Sequence, residues 1–406
     1  MKIIHTSDWH LGQTWDRHPR TDEFKKFLDW MLQIVVDENA DCLLVAGDVF
    51  DKSNPLAAVQ ALYYEFLTKI MTTGAGCQTV IVAGNHDSAA LLDAPRELLN
   101  RLKINVIGKP DVDNELIEVK GKSGNTELLI AAVPFLHDGI LRTVDVGDSQ
   151  ETLEQKSIDG MRKHYKDVCD KAEQVRQQTT GGEKIPLVTT GHLFVRGATT
   201  TETIKNDFNV GSLGNVGADI FPDNIDYVAL GHLHVPQQVA KKETIRYSGS
   251  PIPMSFDEAE QEKSVVCIEF NGRTPSIKLI PIPKFSNVIR ISGNLDEIKT
   301  KFENVKEFDG ATYVEVNYTG EEFLPDINEL VRDVAPEVVR NNGLMRIRND
   351  NLQTLHRLNA EPEVKLEEMT PVNVFERLME NEKNETLPKK QLMNLYKEVV
   401  SSINDN

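Results

Sequence analysis

Seven side chains able to bind a metal ion recur at the ends of apolar runs along this 406-residue chain: Asp8 and His10 in "KIIHTSDWH", Asp48 in "LLVAGD", Asn85 in "TVIVAGNHD", His192 in "PLVTTGH", and His232 and His234 in "YVALGHLH". Two Asp, one Asn and four His, with no cysteine among them, offer mixed oxygen and nitrogen donors. That mixture suits manganese, iron or zinc more than calcium. Seven ligands are too many for one catalytic ion that keeps a position open. They suit two ions roughly 3.5–4 Å apart that share a carboxylate. Glycines precede Asp48, Asn85, His192 and His232, which permits tight turns and close approach of backbone to an ion or a phosphate.

Each piece alone has an ordinary explanation. A D-x-H after a strand is commonly a turn or a cap, and "GD" and "GN" are turn dipeptides. "GHLH" can place one histidine inward and the other in solvent. Turn chemistry does not account for all of them together, in order, always at strand ends.

The elements that must position these residues alternate. "KIIHT" has the composition of a buried strand, residues 20 to 38 place Phe24, Phe27, Leu28, Met31, Leu32 and Val35 at helical spacing, and "DCLLVAGD" returns to a strand. A helix near 55 to 72, the strand "QTVIVAG" and a helix near 88 to 102 follow. This alternation predicts an α/β fold with partly parallel pairing. In an open α/β sheet the carboxyl ends of the strands face one crevice, so ligands far apart in sequence converge there. From about 103 the pattern changes to short strands, including "TELLIAAVP", "IPLVTTGH", "IDYVALGH" and "KSVVCIEF", interrupted by a long polar helix near 150 to 178. The fold expected is two packed mixed β-sheets flanked by helices.

The prolines of "IPIPKF", residues 280 to 285, mark a boundary that closes a first domain over 1–280. Residues 285–348 alternate strand and helix again and form a small α/β domain. Residues 349–370 are polar and acidic and have the character of a linker. The tail, 371–406, holds two short amphipathic helices, one with Val374, Phe375, Leu378 and Met379, the other with Leu392, Leu395, Tyr396, Val399 and Val400. A pair this short hardly buries its own apolar face. It folds back on its domain or docks on another protein, and the linker favours docking.

The net charge of −18, from 45 basic and 63 acidic residues, argues against holding nucleic acid by overall attraction. A nucleic-acid role then needs a local basic groove, bound cations or a partner. Four scattered cysteines without a C-x-x-C pair suit reduced thiols. No apolar stretch approaches membrane-span length and the N-terminus lacks a secretory signal, so the expected location is cytoplasmic.

The ordered set D-x-H, GD, GNHD, GH and GHxH resembles that of the calcineurin-like metallophosphoesterases. Within that family, "HTSDWHLGQ", "VAGDVFD", "AGNHDS", "ALGHLH" and "YSGSPIPMSFDE" look like the SbcD-type subunits of bacterial SbcCD nucleases. The resemblance is specific, motif by motif, through about residue 280, and continues into the small domain and the tail by arrangement only. It implies a metallophosphoesterase sandwich in which Asp8, His10, Asp48 and His234 hold one ion and Asp48, Asn85, His192 and His232 the other, with Asp48 bridging. His86 would face the phosphate, to orient it or to protonate the leaving oxygen, and Asp87 would hydrogen-bond His86 and set its tautomer.

The implied activity is hydrolysis of DNA phosphodiesters in repair and recombination, as a 3′-to-5′ exonuclease on double-stranded DNA and an endonuclease at hairpins or blocked ends. Products would carry 5′ phosphate and 3′ hydroxyl ends. The implied cofactors are two divalent ions, Mn2+ first and Mg2+ second. The implied partners are the SbcC coiled-coil ATPase, engaged by the C-terminal helices, a second copy of the nuclease chain, and double-stranded DNA, with the small domain acting as a cap over the metal site. One departure stands out: related archaeal and eukaryotic nucleases often carry a His just after their GD-x-F segment, where "GDVFDKS" has Asp51. Lys52 beside it, and Arg196 in "HLFVRGATTTETIKND", are either phosphate contacts or surface-loop residues. Two rivals remain: a phosphatase or phosphodiesterase using the same ions on a small phosphoester, and a non-catalytic scaffold, against which the complete set of seven ligands argues.

Overall fold

The computed structural model describes residues 1–349 apart from 16–17, 74–75, 146, 200–215, 321, 323, 325 and 343–344. The helical tail expected at 371–406, and all but the first residue of the linker expected at 349–370, lie outside the described residues. So do residues 200–215 of the hydroxyl-rich stretch that follows His192.

Two six-stranded sheets pack face to face. In the first, Lys2–Thr6, Cys42–Ala46, Gln78–Val82 and Ile104–Ile107 run parallel, and Ser264–Asn271 and Thr274–Pro281 extend it antiparallel on the other side of Lys2–Thr6. In the second, Lys242–Tyr247, Tyr227–Gly231, Leu187–His192 and Thr126–Ala131 run parallel, with Gln237–Val239 and Leu116–Lys120 as antiparallel edges.

Ile3, Leu44, Val80, Val82, Ile130, Val188, Ala229 and Ile268 fill the space between the sheets. Helices Thr21–Asp37 and Ala57–Thr72 cover the outer face of the first sheet through Phe27, Met31, Phe66 and Ile70. Helix Gln150–Gln178 covers the second through Met161, Tyr165 and Val168. Strand Cys42–Ala46 is buried at every position. Covered on both faces, it shows the unbroken apolar run of a central parallel strand rather than an alternation. The α/β expectation of two packed mixed sheets with flanking helices is met.

One local expectation changes. The single helix near 88 to 102 is two, Ala89–Asp93 and Arg96–Arg101. Pro95 lies between them, and a proline supplies no amide N–H to continue the first helix.

Residues 287–349 form a third sheet in which Asn287–Gly293, Thr312–Tyr318 and Met345–Asn349 are all parallel. Helices Leu295–Glu303 and Ile327–Val334 pack on one of its faces, around Ile291, Ile298, Phe302, Val314, Val316 and Val331. Val288 and Tyr313, one step out of phase along their strands, point to the opposite face. There they meet Trp15 and Phe256 of the two-sheet unit. Among the described residues, no helix is long and apolar enough to cross a membrane.

Candidate metal centre

Strand register brings the site together. Thr6 stands opposite Val45 and Ala46 opposite Val82 in the first sheet, while Gly231 stands opposite His192 in the second. The chain therefore leaves these strands along one edge, and each leaves with a ligand-type residue within a few positions. The structure collects Asp8, His10 and His234 in one group, Asp8, Asp48 and His192 in another, and His10, Asp48 and His86 in a third, the donor atoms of each group lying within 4.8 Å of one another. Asn85 and His232 join them, each with a polar atom 3.0 Å from its neighbour: Asn85 Oδ1 lies at that distance from both His192 Nε2 and His232 Nδ1.

The backbone is bent to achieve this. Asp8, His10, Asp48 and His232 have φ of 52°, 46°, 51° and 97°, in the left-handed region, and they are four of the eight described non-glycine residues that do. A residue with a Cβ is disfavoured there by about 1–2 kcal/mol, and such outliers persist where surrounding contacts over-determine them. Those contacts are present. The Asp8 amide donates to the Gly47 carbonyl at 3.0 Å, the His10 amide to the Asp48 carbonyl at 3.0 Å, and the His232 amide to Asp8 Oδ1 at 2.8 Å. Gly84 is required for space: a Cβ on it would sit 2.2 Å from Asp48 Oδ1.

The tautomers follow from the outer partners. His192 Nδ1 donates to the Ala46 carbonyl at 2.9 Å. A neutral ring then has no proton on Nε2, which nevertheless faces Asp48 Oδ2 at 3.1 Å and Asn85 Oδ1 at 3.0 Å. Two oxygens and a bare nitrogen turned toward one another call for a positive charge among them. Burial alone would lower the His192 pKa, but the Asp48 carboxylate raises it to about 9, so without a cation the ring itself supplies that charge. His10 Nε2 and His234 Nε2 face each other at 3.2 Å in the same way. Burial pushes His10 and His232 down to about 3, which keeps their nitrogens free of added protons at neutral pH. Asp48, although burial opposes it, is held well below the usual carboxylate range by the His192 and His10 rings. A buried carboxylate beside the neutral imidazoles of His10 and His232, with the bare Nε2 of His192 turned toward it when a cation is present, is chemistry that fits a pair of divalent cations.

His86 occupies a different position. It is exposed, its Nδ1 lies 2.9 Å from the Asp51 carbonyl, and its amide donates to Asp48 Oδ1 at 2.9 Å. With Nδ1–H held by that carbonyl, Nε2 is the free ring atom. The residue helps line an open cleft of about 520 Å³ together with Asp51, Lys52, Ser53, Asn54 and Asn85.

Asp87 departs from the expectation. It makes no hydrogen bond to His86. Its carboxylate accepts from the amides of Gly84 at 2.9 Å, Phe50 at 2.9 Å and Val49 at 3.1 Å, and so staples the turn after Val82 to the turn after Ala46. The partner that sets the His86 tautomer is the Asp51 backbone. The Asp51 side chain stands 3.8 Å from His10 Nδ1, too far for a hydrogen bond, and His10 Nδ1 has no hydrogen-bond partner.

One neighbour of the ligand-type residues was not singled out from the sequence, although it closes the motif "YSGSPIPMSFDE". Glu258, 1% exposed, places Oε1 3.2 Å from His234 Nδ1. It has the form of the carboxylate–histidine pair that commonly orients a metal-ligating imidazole. In "SFDE" it looks like one more acid in a turn, and only its burial distinguishes it.

Comparison with known proteins agrees with this geometry. Residues 1–236 match the model of the calcineurin-like phosphoesterases, and residues 284–383 match that of the type 5 capsule protein repressor C-terminal domain. The SbcD subunit of nuclease SbcCD from Escherichia coli K12 is 30% identical over 403 residues, covering 98% of this chain and 97% of that protein. Its counterpart from Bacillus subtilis is 28% identical over 411 residues, covering 100% and 99%. The one from Rhodobacter capsulatus is 32% identical over 298 residues, covering 72% and 71%. With a phosphoesterase match spanning more than half its length and full-length relatives of one kind, the chain belongs to the calcineurin-like phosphoesterases and, within them, to the SbcD family of metal-dependent nuclease subunits.

Proposed function

We propose that this chain hydrolyses phosphodiester bonds of double-stranded DNA, as a 3′-to-5′ exonuclease and as an endonuclease at hairpins or blocked ends, with two manganese ions as its cofactors. Asp8, His10, Asp48 and His234 hold one ion, and Asp48, Asn85, His192 and His232 hold the other. When bound, such a pair offsets charge on the phosphoryl oxygens and makes water a competent nucleophile near neutral pH. The residues of the chain do the rest. The turns at Asp8, His10, Asp48 and His232 hold donors in place before substrate arrives, which removes reorganisation from the reaction step. His86, with Nε2 free over the cleft, is placed to hold a phosphoryl oxygen or to give a proton to the departing 3′ oxygen.

The observation that carries this reading is the convergence of seven ligand-type residues, from positions 8 to 234, five of them in close donor groups and Asn85 and His232 joined to these at 3.0 Å, beside an open cleft. An open cleft suits a polymer better than a small phosphoester.

The relatives' name places them in a two-component nuclease, and this chain takes the corresponding role: a coiled-coil ATPase of the SbcC type binds its C-terminal helices. A second copy of the chain completes the proposed assembly. Sharing the DNA-holding surface with the ATPase also relieves the difficulty posed by the net charge of −18. The proposed setting is the cytoplasm.

The test is digestion of end-labelled duplex DNA with Mn2+, with and without the ATPase and ATP, beside hydrolysis of p-nitrophenyl phosphate. Cleavage of DNA from its 3′ ends supports the assignment. Turnover of the small ester alone, with duplex DNA intact under every condition, overturns it. Removal of residues 365–406 is expected to abolish co-purification with the ATPase and leave hydrolysis of a small phosphodiester in place; retained co-purification contradicts the docking role.

A further inference from the structure

Three consecutive residues, Phe256, Asp257 and Glu258, form a single 3-10 turn. Two of them grip the third sheet and one grips the metal centre. The Phe256 ring lies 4.2 Å, centroid to centroid, from Trp15, and packs with Val288 and Tyr313 of the third sheet, while the Arg346 guanidinium lies 5.9 Å over it. Asp257 Oδ1 accepts from Arg290 Nη1 at 2.8 Å, and Arg290 Nε is in turn 3.2 Å from the buried Glu315 carboxylate. Glu258 points the other way, to His234 Nδ1 at 3.2 Å.

Glu258 is itself held firmly. Its Oε2 receives Lys263 Nζ at 2.6 Å and the Met254 amide at 3.1 Å. Lys263 Nζ also donates to the His234 carbonyl at 3.0 Å. His234 is therefore fixed at its ring by Glu258 and at its backbone by Lys263, and the two fixing residues are joined to each other. A buried carboxylate that already has a lysine needs no imidazole to satisfy it. Its second oxygen is free to accept Nδ1–H, which leaves His234 Nε2 bare and aimed at His10 Nε2, 3.2 Å away.

We propose that Glu258 is a positioning residue for the ion held by Asp8, His10 and His234, and that the third sheet, by gripping Phe256 and Asp257, keeps Glu258 in place and so sets how tightly that ion is bound. Force or partner binding that shifts the C-terminal unit then reaches the metal centre through one turn. This rests on the two-ion reading above.

The experiment is calorimetric titration of the metal-free full chain with Mn2+. Glu258→Leu with Lys263→Met removes both members of the buried pair, so that neither charge is stranded. Glu258→Gln with Lys263→Met keeps an acceptor for Nδ1–H. Val288→Ala with Arg290→Ala loosens the grip of the third sheet and touches no ligand. Wild type is expected to bind two ions. The Leu/Met variant is expected to hold one of them about 10–100-fold more weakly, as loss of an outer-shell partner does, with the other unchanged and a cooperative thermal transition retained. The Gln/Met variant is expected to recover most of that loss. The third-sheet variant is expected to weaken the same ion by about 2–30-fold. Two ions bound by the Leu/Met variant as tightly as by wild type overturn the role of Glu258, and unchanged affinity in the third-sheet variant overturns the grip. Fewer than two ions on wild type removes the two-ion reading and this inference with it.

Discussion

His192 Nε2 stands 3.1 Å from the Asp48 carboxylate, across the gap between the two sheets, while its Nδ1 is tied to the Ala46 carbonyl at 2.9 Å. Asp48 belongs to two of the donor groups, one with His10 and His86 and one with Asp8 and His192. Asp48→Asn is expected to weaken both ions and to lower phosphodiester hydrolysis by at least about 100-fold, the upper end of what loss of a mere outer-shell partner costs. Metal titration and initial rates on a small diester check this. Near-normal rates at limiting Mn2+ would contradict a shared carboxylate.

His86 is exposed over the cleft, with Nε2 free. His86→Gln is expected to retain both ions and to cut the cleavage rate by about 10²–10⁴-fold, the usual range for a lost acid–base group. Parallel calorimetry and single-turnover kinetics separate binding from chemistry. Loss of an ion together with activity would make His86 a ligand instead.

Asp87 satisfies three backbone amides. Asp87→Ala is expected to destabilise the metal-free protein by about 2–3 kcal/mol, because amides left without an acceptor cost about 1–3 kcal/mol each where they stay buried. Urea unfolding measures it. A change within about 0.5 kcal/mol, the size of an ordinary surface substitution, would mean that the staple carries no stability.

His5 is fully buried, 3.1 Å from the Tyr227 hydroxyl. Burial lowers its pKa from 6.5 to about 3. The folded state thus keeps the ring neutral where the unfolded chain takes up a proton, and stability falls as pH drops below 6.5. The loss is about 1.4 kcal/mol per pH unit from this residue, continuing toward about pH 3. Unfolding free energies of metal-free wild type and His5→Phe between about pH 7 and about pH 4 are expected to diverge in slope by that amount. Parallel slopes would contradict a neutral buried His5.

The convergence of these ligand-type residues was legible in the sequence because each follows a strand. A buried strand announces itself as an apolar run, the residue after it is placed by topology, and the crevice at the strand ends does the converging. The periodicity of Phe24 to Val35 likewise identified a helix, since it must present one apolar stripe to a sheet. What escaped were features that depend on packing between distant segments. The role of Asp87 depends on amides of Val49 and Phe50, 38 and 37 positions away, and its neighbour His86 was the more obvious partner only along the chain. Glu258 is set apart from other turn acids by its burial. The left-handed turns at Asp8, His10 and Asp48 leave no composition signal, because aspartate and histidine are common in ordinary turns as well.

The central claim is that two cations sit in one cage and share Asp48. Anomalous scattering from crystals of the full chain soaked in Mn2+ tests it most directly. Two peaks roughly 3.5–4 Å apart, on either side of the Asp48 carboxylate and ringed by Asp8, His10, Asn85, His192, His232 and His234, are the predicted result. An empty cage, or a single peak away from Asp48, would contradict it.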